Sequence, residues 1–249
     1  MKYHLEVGAR TVEDALSAER AGAARAELYS SPMEGALTPS AGLIKYAKAA
    51  VTNLFLQVMI RPRSGGFCYS KSEFEIMQSD TETAVEMGAD GIMFGILTEN
   101  NSLDIRRMKD LIKRYSGLPV TLHRAFDFTN DPFRTLEEAI DLGCTYVMPL
   151  GQNNPGGFGR KMVEKFVKQA GNRIKVMIAL GSSFDNAELD QVIKETGALD
   201  YHIVNNYSQA NRPYNLERFA ATPDAGWSRD YLDEDIVRST KAILNKYEK

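Results

Sequence analysis

Short apolar runs alternate along the chain with stretches whose apolar residues recur every three or four positions. The run "HLEVGA" (4–9) is followed by "VEDALSAERAG", with Thr11 placed as N-cap and Gly22 as the stop. "RAELYS" (25–30) precedes "TPSAGLIKYAKAA", where Thr38-Pro39 reads as N-cap and first helical position. "LFLQVMI" (54–60) leads into a long amphipathic stretch over 71–88. "GIMFGI" (91–96), "PVTLHR" (119–124), "YVMPL" (146–150), "IKVMIAL" (174–180) and "DYHIVN" (200–205) continue the series, each with a helical segment after it; the last helix covers 233–248. Eight strand–helix units in succession predict a parallel sheet. Within 249 residues they predict an α/β fold of one domain, a closed (β/α)8 TIM barrel. The alternative, a doubly wound open sheet, would carry a Gly-rich nucleotide loop after its first strand, and "VGARTVED" is not one. The segment 206–232 breaks the pattern. It is long, irregular and aromatic-rich, and following strand eight it is expected to lie over the barrel mouth as a lid.

Barrel chemistry sits at the C-terminal ends of the strands, and polar residues collect there. Strand one carries Glu6, strand two Glu27, and strand three runs into Arg61 and Arg63. Strand five ends in His123 and Arg124 with Asp127 behind. Strand six leads to Gln152, strand seven to Gly181 and Ser182, and strand eight holds His202. Arginine forks bind carboxylate or phosphate, so Arg61, Arg63 and Arg124 point to a small anionic ligand. Gly181 and Ser182, ahead of a helix expected to start near Asp185, suggest an anion site at a helix N-terminus. His123, Glu27 and Asp127 are the candidate acid–base groups. A structural reading stands beside this one. Glu6 and Glu27 could be buried charges paired with Arg61 or Arg124, and His202 a core histidine. Met59, Met93, Met148 and Met177 lie on strands, where gap-filling is the ordinary role and soft thioether ligation of copper the rarer one.

A net charge of −3 without a basic stripe argues against nucleic acid. No apolar run approaches membrane-spanning length, and the N-terminus lacks a signal-peptide core, so a cytoplasmic protein is expected. Cys68 and Cys144 cannot form a disulfide framework and fall at opposite ends of the barrel layout. His4, His123 and His202 show no metal-ligand spacing. Apolar positions on the outer helices would support a homodimer.

The blocks "AELYSSPMEGALTPSAGLIK" (26–45), "MIRPRSGGFCYSKSEFEIM" (59–77), "VTLHRAFDFTNDPFRTLEEAIDLG" (120–143) and "LGQ" (150–152) resemble the CutC family, known as copper homeostasis proteins. The resemblance spans about residues 5–205 and implies a TIM barrel and cytosolic handling of copper(I) by cysteines. Family members often carry cysteines where this chain has Gly8 and Tyr29, so Cys68 is the remaining candidate metal ligand. The polar mouth matches the family blocks. It suits an organic anion, either bound or turned over by isomerase, lyase or aldolase chemistry on a carboxylated or phosphorylated metabolite.

Overall fold

A computed structural model describes residues 2–150, 159–181, 185–204, 206–210 and 228–248. Eight parallel strands form a closed barrel: β1 (His4–Ala9), β2 (Arg25–Leu28), β3 (Phe55–Met59), β4 (Gly91–Phe94), β5 (Val120–Leu122), β6 (Tyr146–Val147), β7 (Lys175–Ala179) and β8 (Asp200–Ile203). β8 closes on β1 with His202 directly opposite Glu6, and β1 pairs with β2 so that Glu6 also faces Arg25. The helices are α1 (Val12–Arg20), α2 (Ala41–Ala50), α3 (Lys71–Glu86), α4 (Ile105–Arg114), α5 (Pro132–Asp141), α6 (Gly159–Ala170), α7 (Leu189–Thr196) and α8 (Glu234–Asn245). The (β/α)8 expectation therefore holds.

Local chemistry explains the helix starts. Thr11 accepts the Asp14 N–H, and Ser70 with Glu73 forms a reciprocal capping box at α3. Asp131 caps α5, with Pro132 at its first position. One expected cap is displaced: Ser40, not Thr38, caps α2. The Thr38 hydroxyl instead accepts from the Arg61 backbone N–H at 2.9 Å and donates to the Arg61 carbonyl at 3.1 Å. It ties the loop after β2 to the end of β3.

Alternation along the strands sorts two sets of side chains. Leu5, Val7, Ala26, Leu28, Leu56, Val58, Ile92, Phe94, Val147, Ile178 and Ile203 belong to the main core, which includes helix residues such as Ile44 and Met77. The intervening positions face the barrel interior. They hold Glu6, Arg25, Glu27, Gln57, Thr121 and His202, all buried, together with a separate apolar cluster of Tyr29, Met59, Met93, Tyr146, Met148, Met177 and Ala179. Branched aliphatics usually fill such an interior; here it is charged, polar and methionine-lined. The four methionines are packing residues of this cluster.

The segment after β8 differs from its sequence reading at both ends. β9 (Asn206–Ala210) and β10 (Ser228–Leu232) form an antiparallel pair. The buried Asp14 carboxylate of α1 anchors its return, accepting from the Leu232 N–H at 2.9 Å and the Arg10 N–H at 2.9 Å. Arg10 in turn donates to Asp230. The central part of the expected lid lies outside the described residues.

Candidate functional site

The interior polar residues form a continuous chain. Glu6 accepts from Arg25 Nε at 2.8 Å through one oxygen and lies 3.1 Å from His202 Nδ1 through the other. Arg25 is held flat between the rings of Phe55 and Tyr146, its guanidinium carbon 4.4 and 4.3 Å from their centroids. It also donates to the Gln57 side-chain oxygen, which accepts from the Thr121 hydroxyl as well. On its far side, His202 Nε2 lies 3.3 Å from a Glu27 oxygen. One imidazole thus bridges two buried carboxylates from neighbouring strands. Glu6 pairs with Arg25, and neither Arg61 nor Arg124 is its partner as the sequence had suggested.

The two carboxyls are driven apart. Burial raises the pKa of Glu6, but Arg25 and His202 beside it outweigh burial and hold it below its ordinary value. Glu27 touches His202 but no arginine, and burial pushes it up to about 7, with His202 and the Arg124 charge opposing and Glu6 adding to the rise. Burial disfavours the His202 imidazolium, but the two carboxylates more than compensate and raise its pKa. Glu6 is therefore held as an anion, while Glu27, in contact with the His202 imidazole, is the carboxyl raised toward neutrality.

The second part of the mouth follows β5. His123 is completely buried and caps a 3-10 turn over Arg124–Phe128, its Nδ1 accepting the Ala125 N–H at 3.1 Å. Its proton is therefore on Nε2, which has no partner. Burial, together with the Arg61 and Arg124 charges, pushes its pKa down to about 3. His123 is thus a neutral N–H donor at physiological pH and not the base that its position in the sequence had suggested. Gly95 makes room for it, since a Cβ there would stand 2.8 Å from Nδ1. Asp127 accepts the Leu150 N–H at 3.0 Å through Oδ1 while Oδ2 is buried without a partner. Burial raises its pKa to about 7 against the pull of that N–H and of Arg124.

The three arginines have different hydrogen-bond partners. Arg61 donates to the carbonyls of Glu34, Gly35 and Ala36 and, at 2.7 Å, of Gly65, clamping two loops. Arg63 turns to the carbonyls of Ser64, Gly66 and Cys68 and to Glu73 at the start of α3. Arg124 forms no hydrogen bond or ion pair with another described residue; its only close partner is the Phe128 ring at 6.0 Å. Its charge nonetheless acts on Glu27, His123 and Asp127. Among the described residues it is the unpaired cation whose charge these polar groups share.

Other expected positions contribute less. Asp185 caps its own short turn by accepting the Ala187 N–H, and Gly181 ends the described stretch after β7. Gln152 and Ser182 lie outside the described residues. Cys68 is exposed on the loop after β3. Cys144 is buried before β6, its thiol pushed up to about 12 by burial. Gly8 and Tyr29 pack into each other: a Cβ on Gly8 would lie 3.0 Å from the Tyr29 ring and 3.2 Å from its hydroxyl. This donor set does not fit a copper(I)–thiolate centre, which needs two or three converging soft ligands. The residue that sequence reasoning missed is Arg25. Its signal was a charge two positions before Glu27 in an apolar strand, and hence on the same face.

The CutC family model matches residues 3–206. A Bacteroides fragilis family protein CutC is 39% identical over 247 residues, covering 99% of this chain and 91% of that protein. A mouse protein named copper homeostasis protein cutC homolog is 39% identical over 245 residues, covering 97% of this chain and 89% of its own length. Among solved structures, CutC from Streptococcus agalactiae superimposes with a TM-score of 0.74 at 32% identity, covering 81% of this chain and 98% of that one. Thiamine phosphate pyrophosphorylase from Pyrococcus furiosus, at 14% identity and a TM-score of 0.60 over 98% of this chain and 96% of that one, shares the fold alone.

Proposed function

The chain belongs to the CutC family, and from that membership we propose that it serves copper homeostasis, the role named for its mouse relative, through a small-anion site at the barrel mouth. A copper(I)–thiolate centre is not part of this reading, because Gly8 and Tyr29 stand where the family resemblance places cysteines and Cys68 is isolated. The observation that carries the proposal is Arg124, a cation without a hydrogen-bond or ion-pair partner among the described residues, whose charge acts on two carboxyls and a neutral imidazole donor. Such a guanidinium suits a carboxylate or phosphate. The reading places the protein in the cytoplasm. No described helix is long and apolar enough to cross a membrane, and both cysteines are free.

Two measurements test it. Anaerobic copper(I) competition on the reduced protein is expected to show no tight stoichiometric binding. Tight binding that disappears in Cys68→Ser would overturn the anion reading in favour of the metal. Calorimetry with a panel of small carboxylates and phosphate esters is expected to find a ligand whose affinity falls at least tenfold in Arg124→Ala. In cells lacking this chain, copper tolerance should return with the wild type and not with that variant. Equal rescue by both would detach the copper role from the mouth.

A further inference from the structure

We propose that the mouth catalyses proton transfer at the carbon beside the carbonyl of a small 2-oxo carboxylate, with Glu27 as the base. The inference rests on the small-anion reading and names the substrate class and chemistry of that site. Three features select the class. Arg124, the guanidinium left uncommitted, takes a carboxylate. Among the described residues one such cation stands amid the Glu27 and Asp127 carboxyls, which favours a monoanion over a doubly charged phosphate. His123 Nε2–H is a neutral donor without an acceptor, the kind of group that polarises a carbonyl and holds the oxygen of an enolate. A guanidinium for a carboxylate, a donor for a carbonyl oxygen and a carboxylate base for a C–H, with Glu27 facing the barrel interior and His123 two residues past interior-facing Thr121, together describe a site for a 2-oxo acid with a hydrogen on C3.

The step balances without a co-reactant. Glu27 takes the proton from C3 as the C–H bond breaks. The electron pair moves into the C2 carbonyl, whose oxygen becomes an enolate accepting from His123. Return of a proton from Glu27 to C3 restores the keto acid, and if Glu27 has meanwhile exchanged with solvent, the returned proton comes from water. His202 is a positioning residue. It lies 3.3 Å from Glu27 and is fixed on its other face by Glu6, which Arg25 holds in place. A base poised near neutrality suits such a transfer, as burial of Glu27 provides.

The test is hydrogen–deuterium exchange at C3 of pyruvate and of 2-oxobutyrate in deuterium oxide, followed by proton NMR with the purified full chain. Exchange at least 100-fold above the buffer rate is expected, rising with pH through about 7 in the wild type. Glu27→Gln should lose it 100-fold with KM little changed, and Arg124→Ala should raise KM at least tenfold. His202→Gln should displace the pH profile. Exchange no faster than in buffer overturns the inference, as does exchange kept in Glu27→Gln but lost in Asp127→Asn. If the keto acids bind through Arg124 without exchange, this inference fails and the anion site stands. The same holds if only other carboxylates or phosphate esters bind. If no anion binds, both fail. The wild-type pH profile needs no variant, so a substitution that prevents folding does not blunt the test.

Discussion

The loops after β3 and β5 begin alike, each with an arginine at a strand's end and further polar groups close behind, yet their charges are used differently. After β3, Arg61 and Arg63 reach back to backbone carbonyls and to Glu73. After β5, His123 Nε2, Arg124 Nε and Asp127 Oδ2 are buried without a protein partner. Leaving buried polar atoms unpaired costs stability, and fold requirements alone would not retain three in five residues. Arg61 Nε and Tyr69 Oη are buried unpaired as well, but the first loop turns most of its donors to the chain, while on the proposed reading the second keeps its hydrogen-bonding capacity for a ligand. The two segments look equally functional as sequence, and only the partners of each atom separate them.

The contrast can be broken in four ways. Arg61→Ala removes one donor from several carbonyls and should cost about 3 kcal/mol in urea unfolding, with the loops on either side losing amide protection. A cost below about 1 kcal/mol would show that Arg61 is not structural. Gly95→Ala should cost about 2 kcal/mol by pushing a methyl into Ala125 and the His123 ring; an unchanged midpoint would mean that the His123 turn is not held tightly. The third test uses pH. His123 takes up its proton near 6.5 when unfolded but only near 3 when folded. Its contribution to stability therefore falls as pH drops from 6.5 toward 3, by up to about 1.4 kcal/mol per pH unit. His123→Asn keeps an N-cap acceptor and should flatten that acid limb; an equally steep limb would place the effect elsewhere. Glu27 acts in the opposite sense: its stabilisation of the fold is lost as pH rises from 4.5 to about 7. The smallest effect is expected from Arg124→Ala, within about 0.5 kcal/mol of wild type, because that guanidinium makes no hydrogen bond or ion pair with a described residue and acts on its neighbours only through its charge. A large loss would place Arg124 with Arg61.

The architecture was legible because each strand–helix unit carries its own local signals, from the Thr11 cap to the Gly22 stop. Registers were not, because they depend on barrel closure. Only the closed β8–β1 and β1–β2 pairs place Arg25 and His202 on either side of Glu6. Glu27, His123, Arg124 and Asp127 were found as residues, but their protonation was not readable. Nothing in "HRAFD" says that Ala125 occupies His123 Nδ1 or that burial, with two arginines nearby, holds the ring neutral. The loop-clamping bonds of Arg61 and Arg63 were not readable for the same reason. Residue type announces a cation, while its use is decided by loops that fold around it.

The mutual fit of Gly8 and Tyr29 also sets an order on the chain's mutational paths. A cysteine introduced first at position 8 would meet the tyrosine ring at 3.0 Å, so that step passes through an overpacked protein. Shrinking Tyr29 first opens a cavity, which costs stability but leaves room for the second change. The two substitutions are coupled by contact and their effects should not add. A paired thiol site is thus reachable from this sequence along one route more readily than the other, and from a two-cysteine ancestor the replacement of position 8 by glycine would have come before the tyrosine.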